Sequence, residues 1–422
     1  MRNKFKLLAV AAATASTLGA TSVQAQGVEF HGYLRTQVGT TSEGGNLQCF
    51  GGDGVWPIRA KYRLGNECDT YGEAMVVAPF GKADGAWAKY SLMLALQEKN
   101  ATDYEDVQSG NFNIASRQNF VQAGGFFGDQ GALSDAKVWL GKRYYNRHDI
   151  HINDYFYWNN SGPGAGLEDI NAGPVKLAFA YHQTGGNGNA RGDVVGKRYS
   201  TRFYDINVNP NGKLEGEVVF LKGSSADEAA TTGSGTMLFL EHTQTGLLGG
   251  FNKIAVVFGR KLGSGFEWLP TNQGGGDAQG SSFRIHDQFF FDLTGTNITG
   301  MFTASYGRAN FGGDDNTWTS AGIRPQYNFN DNFSIAVEAG YDAGKTDTGI
   351  KPKIAKLTVA PQISLAKGFW ARPVFRAFVT YAKWNDDARS QAGGGSTSIG
   401  PNGVFGDKRN GMTYGLQVES WW

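Results

Sequence analysis

Apolar and polar residues alternate along much of this chain, which is the pattern of a β-strand with one apolar face. In the first such segment one face carries Val28, Phe30, Gly32 and Leu34, and the other carries Glu29, His31, Tyr33 and Arg35. The same period recurs in 319–329, 333–341 and 356–364, and the short turn 330–332 separates the first two of these segments. Strands that follow one another through short turns predict an antiparallel sheet and an all-β fold.

The last segment, 412–422, indicates which environment each face meets. Its apolar face carries Tyr414, Leu416, Val418 and Trp422, and its other face carries Gln417, Glu419 and Trp421. A soluble β-sandwich also has a period of two. Apolar residues outside, polar residues inside and aromatic residues near strand ends are instead typical of transmembrane barrels. We therefore expect a transmembrane antiparallel β-barrel.

Connections of alternating length support this interpretation. The turn 330–332 is short, whereas 184–197, 269–282 and 385–410 are long and rich in Gly, Ser, Asn and Asp. In outer-membrane barrels the short turns face the periplasm and the long loops face the exterior. At roughly 10 residues per strand plus connections, the chain has room for an even number of strands in the high teens. We expect residues 26–422 to form this single domain.

The first 25 residues predict a secretory signal peptide. Met1–Ala25 begins with basic residues, continues with an apolar run over 7–15 and ends at a cleavage site. No later run reaches the ~18 apolar residues of a membrane-spanning helix, so a membrane could be crossed only by a closed barrel. A formal net charge of +1 disfavours a nucleic-acid partner, because such a partner requires a basic surface. We expect no cofactor.

Cys49 and Cys68 are the only cysteines in the sequence. An even pair in an exported chain predicts one disulfide, here on an early loop, rather than redox or metal chemistry. Closing a loop of this size contributes roughly 3 kcal/mol to stability.

The segment 139–170 combines charged, histidine and aromatic residues, so it suits neither a core strand nor a solvated loop. We predict that it folds into the lumen of the barrel and narrows it. Imidazole and carboxylate groups are also common metal ligands, so His148, Asp149, His151 and Asp154 are candidate ligands of a metal ion. Their spacing matches no defined metal site and favours a hydrogen-bonded loop. Asp149 and Asp154 as paired glycosidase carboxylates have little support, because the shape of the loop between them is unknown.

Several aromatic side chains fall on the water-facing side of their predicted strands. Tyr33 and Trp421 do so by alternation, and so does Trp370, which shares its parity with Arg372 and Arg376. A sugar suits such a surface, because its CH face stacks on rings while its hydroxyl groups bond to charged side chains. On spacing alone, these rings could instead belong to an aromatic girdle or serve only in packing.

Longer motifs extend from the first predicted strand to the last residue. They are FHGYLR (30–35), KYRLGNECDTY (61–71), WLGKRYYNRHDIHINDYFYW (139–158), SGPGAGLEDI (161–170), EHTQ (241–244), GFNK (250–253), RPVFRAFVTYAKW (372–384) and the terminal WW. Together these motifs resemble the maltoporin family. The resemblance implies an eighteen-stranded barrel in the outer membrane of a Gram-negative bacterium, assembled as a homotrimer. It also implies facilitated diffusion of maltose and maltodextrins.

The resemblance further implies an aromatic slide, which is a row of rings along which sugars pass. Matched motif by motif, its members are Tyr33, Tyr71, Trp370 and Trp421, with Tyr104 in place of a tryptophan that a neighbouring subunit inserts. Beside the slide the family has a polar track of ionisable residues. Its implied members are Arg35, Arg63, Glu73, Arg117, Arg147 and Asp154.

Two positions depart from the family pattern. Phe156 occupies the place of a constriction tyrosine, so the ring is kept and a hydroxyl group is lost. The slide aromatic expected just before EHTQ falls on Leu238 in an ungapped alignment, with Phe239 next to it. Either the register shifts by one residue or this slide position is aliphatic.

Two other functions are compatible with a barrel. A general diffusion porin would be a hole without a binding site, and a barrel enzyme would cleave saccharides or lipids at the aromatic segment. No nucleophile elbow, phosphate loop or HExxH helix supports an enzyme. The family resemblance favours the sugar channel.

Overall fold

The structure is a computed structural model. It describes residues 27–51, 55–81, 85–99, 102–128, 131–185, 194–225, 232–264, 280–310, 315–392 and 398–422. The predicted signal peptide, 1–25, lies outside the described residues, as do parts of the long connections predicted at 184–197, 269–282 and 385–410. Within the described ranges, no helical segment is both long enough and apolar enough to cross a membrane.

Nearly all regular structure is β-strand, as the alternating sequence predicts. The strands are β1 Glu29–Thr41, β2 Thr70–Gly81, β3 Trp87–Glu98, β4 Phe112–Gly124, β5 Lys137–Arg143, β6 Arg147–Ile150, β7 Tyr155–Asn159, β8 Gly162–Asn171, β9 Lys176–Gly185, β10 Val195–Asn209, β11 Gly212–Ser224, β12 Ser234–Leu247, β13 Gly250–Lys261, β14 Ser281–Asp292, β15 Ile298–Asn310, β16 Asn316–Asn328, β17 Phe333–Lys345, β18 Lys353–Ser364, β19 Val374–Trp384 and β20 Asn410–Trp421. A 3₁₀ turn, His151–Asn153, joins β6 to β7, and a short helix, α1 Asp386–Gln391, follows β19.

Eighteen of the strands form one closed antiparallel sheet. Each pairs with the next strand along the chain, except that β5 pairs with β8, because β6 and β7 form a separate hairpin. The first and last strands also pair, with Tyr33 opposite Trp421, so the described sheet has no free edge. The predicted eighteen-stranded barrel is confirmed.

The two faces of the barrel carry the residues that the alternation predicts. In β18, Leu357 is 47% exposed on the outer face, whereas Lys356 and Thr358 on either side of it are buried on the inner face. The two terminal tryptophans separate in the same way. Trp422 lies on the outer face with its ring centroid 5.8 Å from that of Phe30, and Trp421 points into the lumen. The apolar outer face is the surface that meets lipid.

In the described part of the chain, two connecting segments fold into the lumen. The constriction hairpin, 144–161, contains β6 and β7, and the inner loop, which lies between β1 and β2, is described over 42–51 and 55–69. The predicted constriction is present, but its predicted bounds are too wide, because 139–143 and 162–170 belong to the barrel strands β5 and β8. The inner loop was predicted only as a stapled connection. Its disulfide, Cys49–Cys68, is present.

Apolar packing and one buried carboxylate hold the constriction hairpin against the inner wall. The ring of Trp158 stacks on Phe239 of β12 with centroids 5.0 Å apart, and both side chains are fully buried. Glu217 of β11 accepts hydrogen bonds from three hairpin side chains, at 2.6 Å from Asn146, 2.7 Å from Trp158 and 2.6 Å from Asn160. Losing a buried acceptor of this kind leaves three donors without partners, which is costly.

Carboxylates on the barrel wall anchor the inner loop. Asp342 of β17 accepts hydrogen bonds from the backbone N–H groups of Arg59 at 3.1 Å and Ala60 at 2.7 Å. Glu338, also on β17, accepts one from the N–H of Leu64 at 2.9 Å. An irregular backbone segment can therefore lie inside the barrel, because the wall satisfies its polar groups.

Candidate functional site

Aromatic side chains form a row along one side of the lumen. The ring centroids of Tyr71 and Tyr33 are 6.3 Å apart, and Trp421 lies opposite Tyr33 in the barrel register. The ring centroids of Trp421 and Trp370 are 6.5 Å apart. Four residues predicted for the aromatic slide are thus neighbours.

The row continues with two rings that the sequence analysis missed. Trp370 packs on Phe290 of β14 with ring centroids 5.5 Å apart, and Phe290 packs on Phe251 of β13 at 5.6 Å. Both phenylalanines have inward parity on their strands. Phe251 is the aromatic residue of the motif GFNK, so the signal for it was present in the sequence.

Leu238 and Phe239 do not extend this row. The side chain of Leu238 lies on the outer face of β12, and Phe239 is fully buried beneath the constriction hairpin. Neither residue therefore takes the slide position considered for it, because the hairpin covers this part of the inner wall.

Trp370 reaches the row from a turn rather than from a strand. Strand β19 begins at Val374, so the prediction that Trp370 belongs to this strand is wrong. Packing against His151 of the constriction hairpin, with centroids 4.9 Å apart, holds the indole ring inward. Arg372 of the same turn places its guanidinium carbon 3.9 Å from the centroid of the Trp421 ring. The turn thus presents both stacking and cationic groups to the lumen.

Tyr104 stands apart from the other predicted slide members. It lies in the connection between β3 and β4, and its side chain is 76% exposed. Within a single chain, its ring does not extend the row.

Ionisable side chains form a network beside the aromatic row. Arg35 of β1 makes ion pairs at 3.1 Å with Glu67 of the inner loop and with Asp154 of the constriction hairpin. Arg63 of the inner loop pairs with Glu67 and, at 3.0 Å, with Glu419 of β20. The network therefore ties both inward segments to the first and last strands. Glu67 and Glu419 were not predicted as site residues.

Tyr144 of the constriction hairpin organises the other members of the polar track. Its hydroxyl group donates a hydrogen bond to Glu73 at 2.7 Å and accepts one from Arg117 at 2.5 Å. The guanidinium carbon of Arg147 lies 4.0 Å from the ring centroid of Tyr144 and 3.9 Å from that of Phe156. Phe156 thus positions Arg147 through a cation–π contact, which requires no hydroxyl group.

Burial and the charges of this network determine the protonation states of Asp154 and His151 in the constriction hairpin. Burial opposes ionisation of Asp154, but Arg63, Lys61 and Arg35 outweigh it, so the pKa of Asp154 lies well below its ordinary value. Burial, reinforced by Arg63, depresses the pKa of His151 far below its usual range. Asp154 is therefore a carboxylate that can accept hydrogen bonds, and His151 is a neutral ring.

The histidine and acidic residues considered as metal ligands do not converge. His151 packs on Trp370, and Asp154 pairs with Arg35. Within the described residues, three potential ligands do meet at His148, Glu215 and Glu241. Lys253 lies 3.1 Å from Glu241, and Arg202 lies 2.6 Å from Glu215, so cationic side chains already neutralise both carboxylates. The hydrogen-bonded loop favoured by the sequence describes this segment better than a metal centre, and the structure adds ion pairs to it.

A closed barrel with an inward hairpin, an aromatic row and a polar track fits a known family along its whole length. The family model described as LamB porin matches residues 28–422. The chain belongs to the LamB porin family. The resemblance to maltoporins in the sequence motifs is thereby confirmed. This LamB porin is a channel protein of the Gram-negative outer membrane, in a family of porins rather than of enzymes.

Solved structures of other outer-membrane proteins resemble this LamB porin at low sequence identity. Pseudomonas aeruginosa OccK1 (OpdK) is 10% identical with a TM-score of 0.50, and the alignment covers 94% of this chain and 98% of that one. Outer-membrane expressed OmpT of Vibrio cholerae is 10% identical with a TM-score of 0.42, covering 96% and 99%. The likeness to OccK1 concerns the fold alone.

Proposed function

We propose that this porin gives facilitated diffusion to maltose and maltodextrins. The observation that carries the proposal is the row of rings from Tyr71 through Trp421 and Trp370 to Phe251, with ionised groups beside it. Rings in this order offer successive stacking surfaces to the CH faces of glucose units, while arginine and carboxylate groups exchange hydrogen bonds with the hydroxyl groups. Each contact is modest, so the sugar is bound and also released.

A titration of ion current separates this function from a general diffusion porin. The purified porin is inserted into a planar bilayer, and maltotriose is added in steps. A sugar channel shows saturable block of the current, because bound sugar occupies the lumen. If block is unsaturable and liposome swelling follows only solute mass, the porin is a binding-free hole and the proposal fails.

We further propose that the porin is a homotrimer in which Tyr104 serves a neighbouring chain. The tyrosine is 76% exposed, and an exposed ring on a connection is available to enter an adjacent lumen. Tyr104 of a second copy would thus add to the aromatic row of the first chain the ring that its own Tyr104 does not supply. Sedimentation of the detergent-solubilised porin measures the number of chains directly.

Replacing Phe156 by tyrosine tests the constriction. The new hydroxyl group adds a hydrogen-bonding partner for sugar at the ring that stacks on Arg147. One hydrogen bond is worth about 1 kcal/mol, so maltotriose affinity should change about five-fold, while the bore and ion conductance stay nearly constant. Phe156→Leu is the control. It removes the ring and therefore also the cation–π contact that positions Arg147. Equal changes of sugar flux and ion conductance in Phe156→Tyr would contradict the placement of this ring in the sugar path.

A further inference from the structure

A concave patch lies on the outer face of the barrel, far from the sugar path. It has a volume of about 900 Å³ and extends across strands β10 to β15. Two aromatic and three basic side chains line this patch, which is called the outer groove below. This outer groove comprises Tyr199, Phe220, Lys222, Arg260 and Lys261.

The outer groove faces outward at the end of the barrel that carries the long loops. Tyr199 and Phe220 are 47% and 55% exposed, whereas the adjacent Arg198 and Leu221 are buried. Its lining residues Lys222 and Lys261 lie at the ends of β11 and β13, and Ser234 lies at the start of β12. In outer-membrane barrels this end faces the exterior, so the groove meets the outer leaflet near its headgroups.

The cations of the groove lie beside uncharged residues of the described strands. Among the residues that the structure describes, no carboxylate lies within 4.0 Å of the side chains of Lys222, Arg260 or Lys261. The register places Lys222 opposite Ser234 and Arg260 opposite both Thr236 and Ser281, which are all uncharged. Positive charge beside a lipid-facing surface is energetically costly when no anion pairs with it. An anionic lipid of the membrane can supply that partner.

The basic character of this rim continues around the barrel. Outward-facing cations occupy the long-loop ends of several further strands, namely Lys197 of β10, Arg308 of β15, Lys345 of β17, Lys353 of β18 and Lys383 of β19. Arg308 is paired with Asp315, at 2.5 Å. Within the described residues, the outer groove brings three cations of this rim together with two exposed rings.

We propose that the outer groove binds the phosphorylated headgroup of a glycolipid in the outer leaflet. Lys222, Arg260 and Lys261 contact phosphate oxygens, and Tyr199 and Phe220 lie against the sugar and the upper acyl chains. Two strand spacings and an offset of two residues along β12 separate Lys222 from Arg260, which is roughly 12 Å between Cα atoms, so the two cations can engage separate phosphates of one headgroup. Basic pockets beside membrane-embedded segments recognise anionic lipids in this way.

Lipid retention by the purified porin tests the proposal. Wild-type porin and the Lys222→Gln/Arg260→Gln/Lys261→Gln variant are titrated in neutral detergent with diphosphorylated lipid A or with its dephosphorylated form, and bound lipid is counted by native mass spectrometry. Each cation near a headgroup is worth roughly five-fold in affinity, so the variant should lose on the order of 100-fold for diphosphorylated lipid A. Wild-type porin should bind the dephosphorylated form as weakly as the variant does.

A charge-matched control removes three lysines from the opposite rim. Lys89, Lys176 and Lys213 lie at the turn end of their strands, and their replacement by glutamine should leave lipid retention unchanged. Heat-modifiable gel mobility shows that each variant is folded.

Three outcomes overturn the proposal. They are equal retention of diphosphorylated lipid A by wild-type porin and the outer-groove variant, equal retention of the dephosphorylated form by wild-type porin, and a change in chain number when the groove cations are removed. The last result would assign the groove to contact with a second copy of this chain.

Discussion

Trp421→Ala should raise the maltotriose concentration for half-maximal current block about ten-fold, because the variant loses one ring from the middle of the aromatic row. Removing an aromatic ring from a stacked contact costs roughly 1.5 kcal/mol, which corresponds to that factor. The ring also carries the Arg372 guanidinium, 3.9 Å from its centroid, so the cation loses its support at the same time. The measurement is a maltotriose titration of ion current in a planar bilayer.

The adjacent tryptophan supplies a matched control. Trp422 is 51% exposed on the outer face and packs on Phe30, so Trp422→Ala removes the same side chain from the lipid side. Its half-blocking sugar concentration should equal that of the wild type. If Trp422→Ala weakened the block and Trp421→Ala did not, the inner and outer faces of the last strand would be reversed.

Glu217→Ala should release the constriction hairpin from the wall and give a larger, noisier single-channel conductance. The carboxylate is fully buried and accepts hydrogen bonds from Asn146, Trp158 and Asn160. Its loss leaves three buried donors unpaired, which costs roughly 3–5 kcal/mol, comparable with the whole stability of many domains. The barrel itself should persist, because its strand pairing does not involve this side chain.

The control for this prediction is Glu217→Gln, which keeps an oxygen acceptor at nearly the same place. Its conductance should lie close to the wild-type value, and both variants should keep heat-modifiable gel mobility. Wild-type conductance and noise in Glu217→Ala would instead mean that packing of Trp158 on Phe239 is sufficient to hold the hairpin.

The barrel could be predicted from the sequence because its signal is local. Side chains along each strand alternate between lipid and lumen. The faces on which Leu357 and Lys356 lie can therefore be predicted from the neighbouring residues alone. Trp421 and Trp422 were assigned to opposite faces for the same reason. Strand number and the slide members needed the family resemblance, because alternation does not specify which inward ring lies next to which.

The inner loop was not predicted, since its burial depends on distant partners. The backbone N–H of Ala60 donates a hydrogen bond to Asp342, which is 282 positions away in the chain. No periodic pattern in 42–69 predicts such a contact. Glu67 and Glu419 escaped notice for a similar reason, because their roles arise only where the inner loop meets the last strand. Phe251 was missed although its motif was recognised, because alignment alone did not show which strand end approaches Trp370.

The seam between β1 and β20 constrains biogenesis. Residues 33–41 of β1 pair with β20, so the edge of β1 that faces away from β2 has no strand partner until β20 is in place. Neighbouring hairpins can form as soon as both of their strands exist, but the cylinder closes only when β20 joins β1. An intermediate that lacks β20 in the sheet therefore exposes an unpaired strand edge, at which another chain can add by β-pairing.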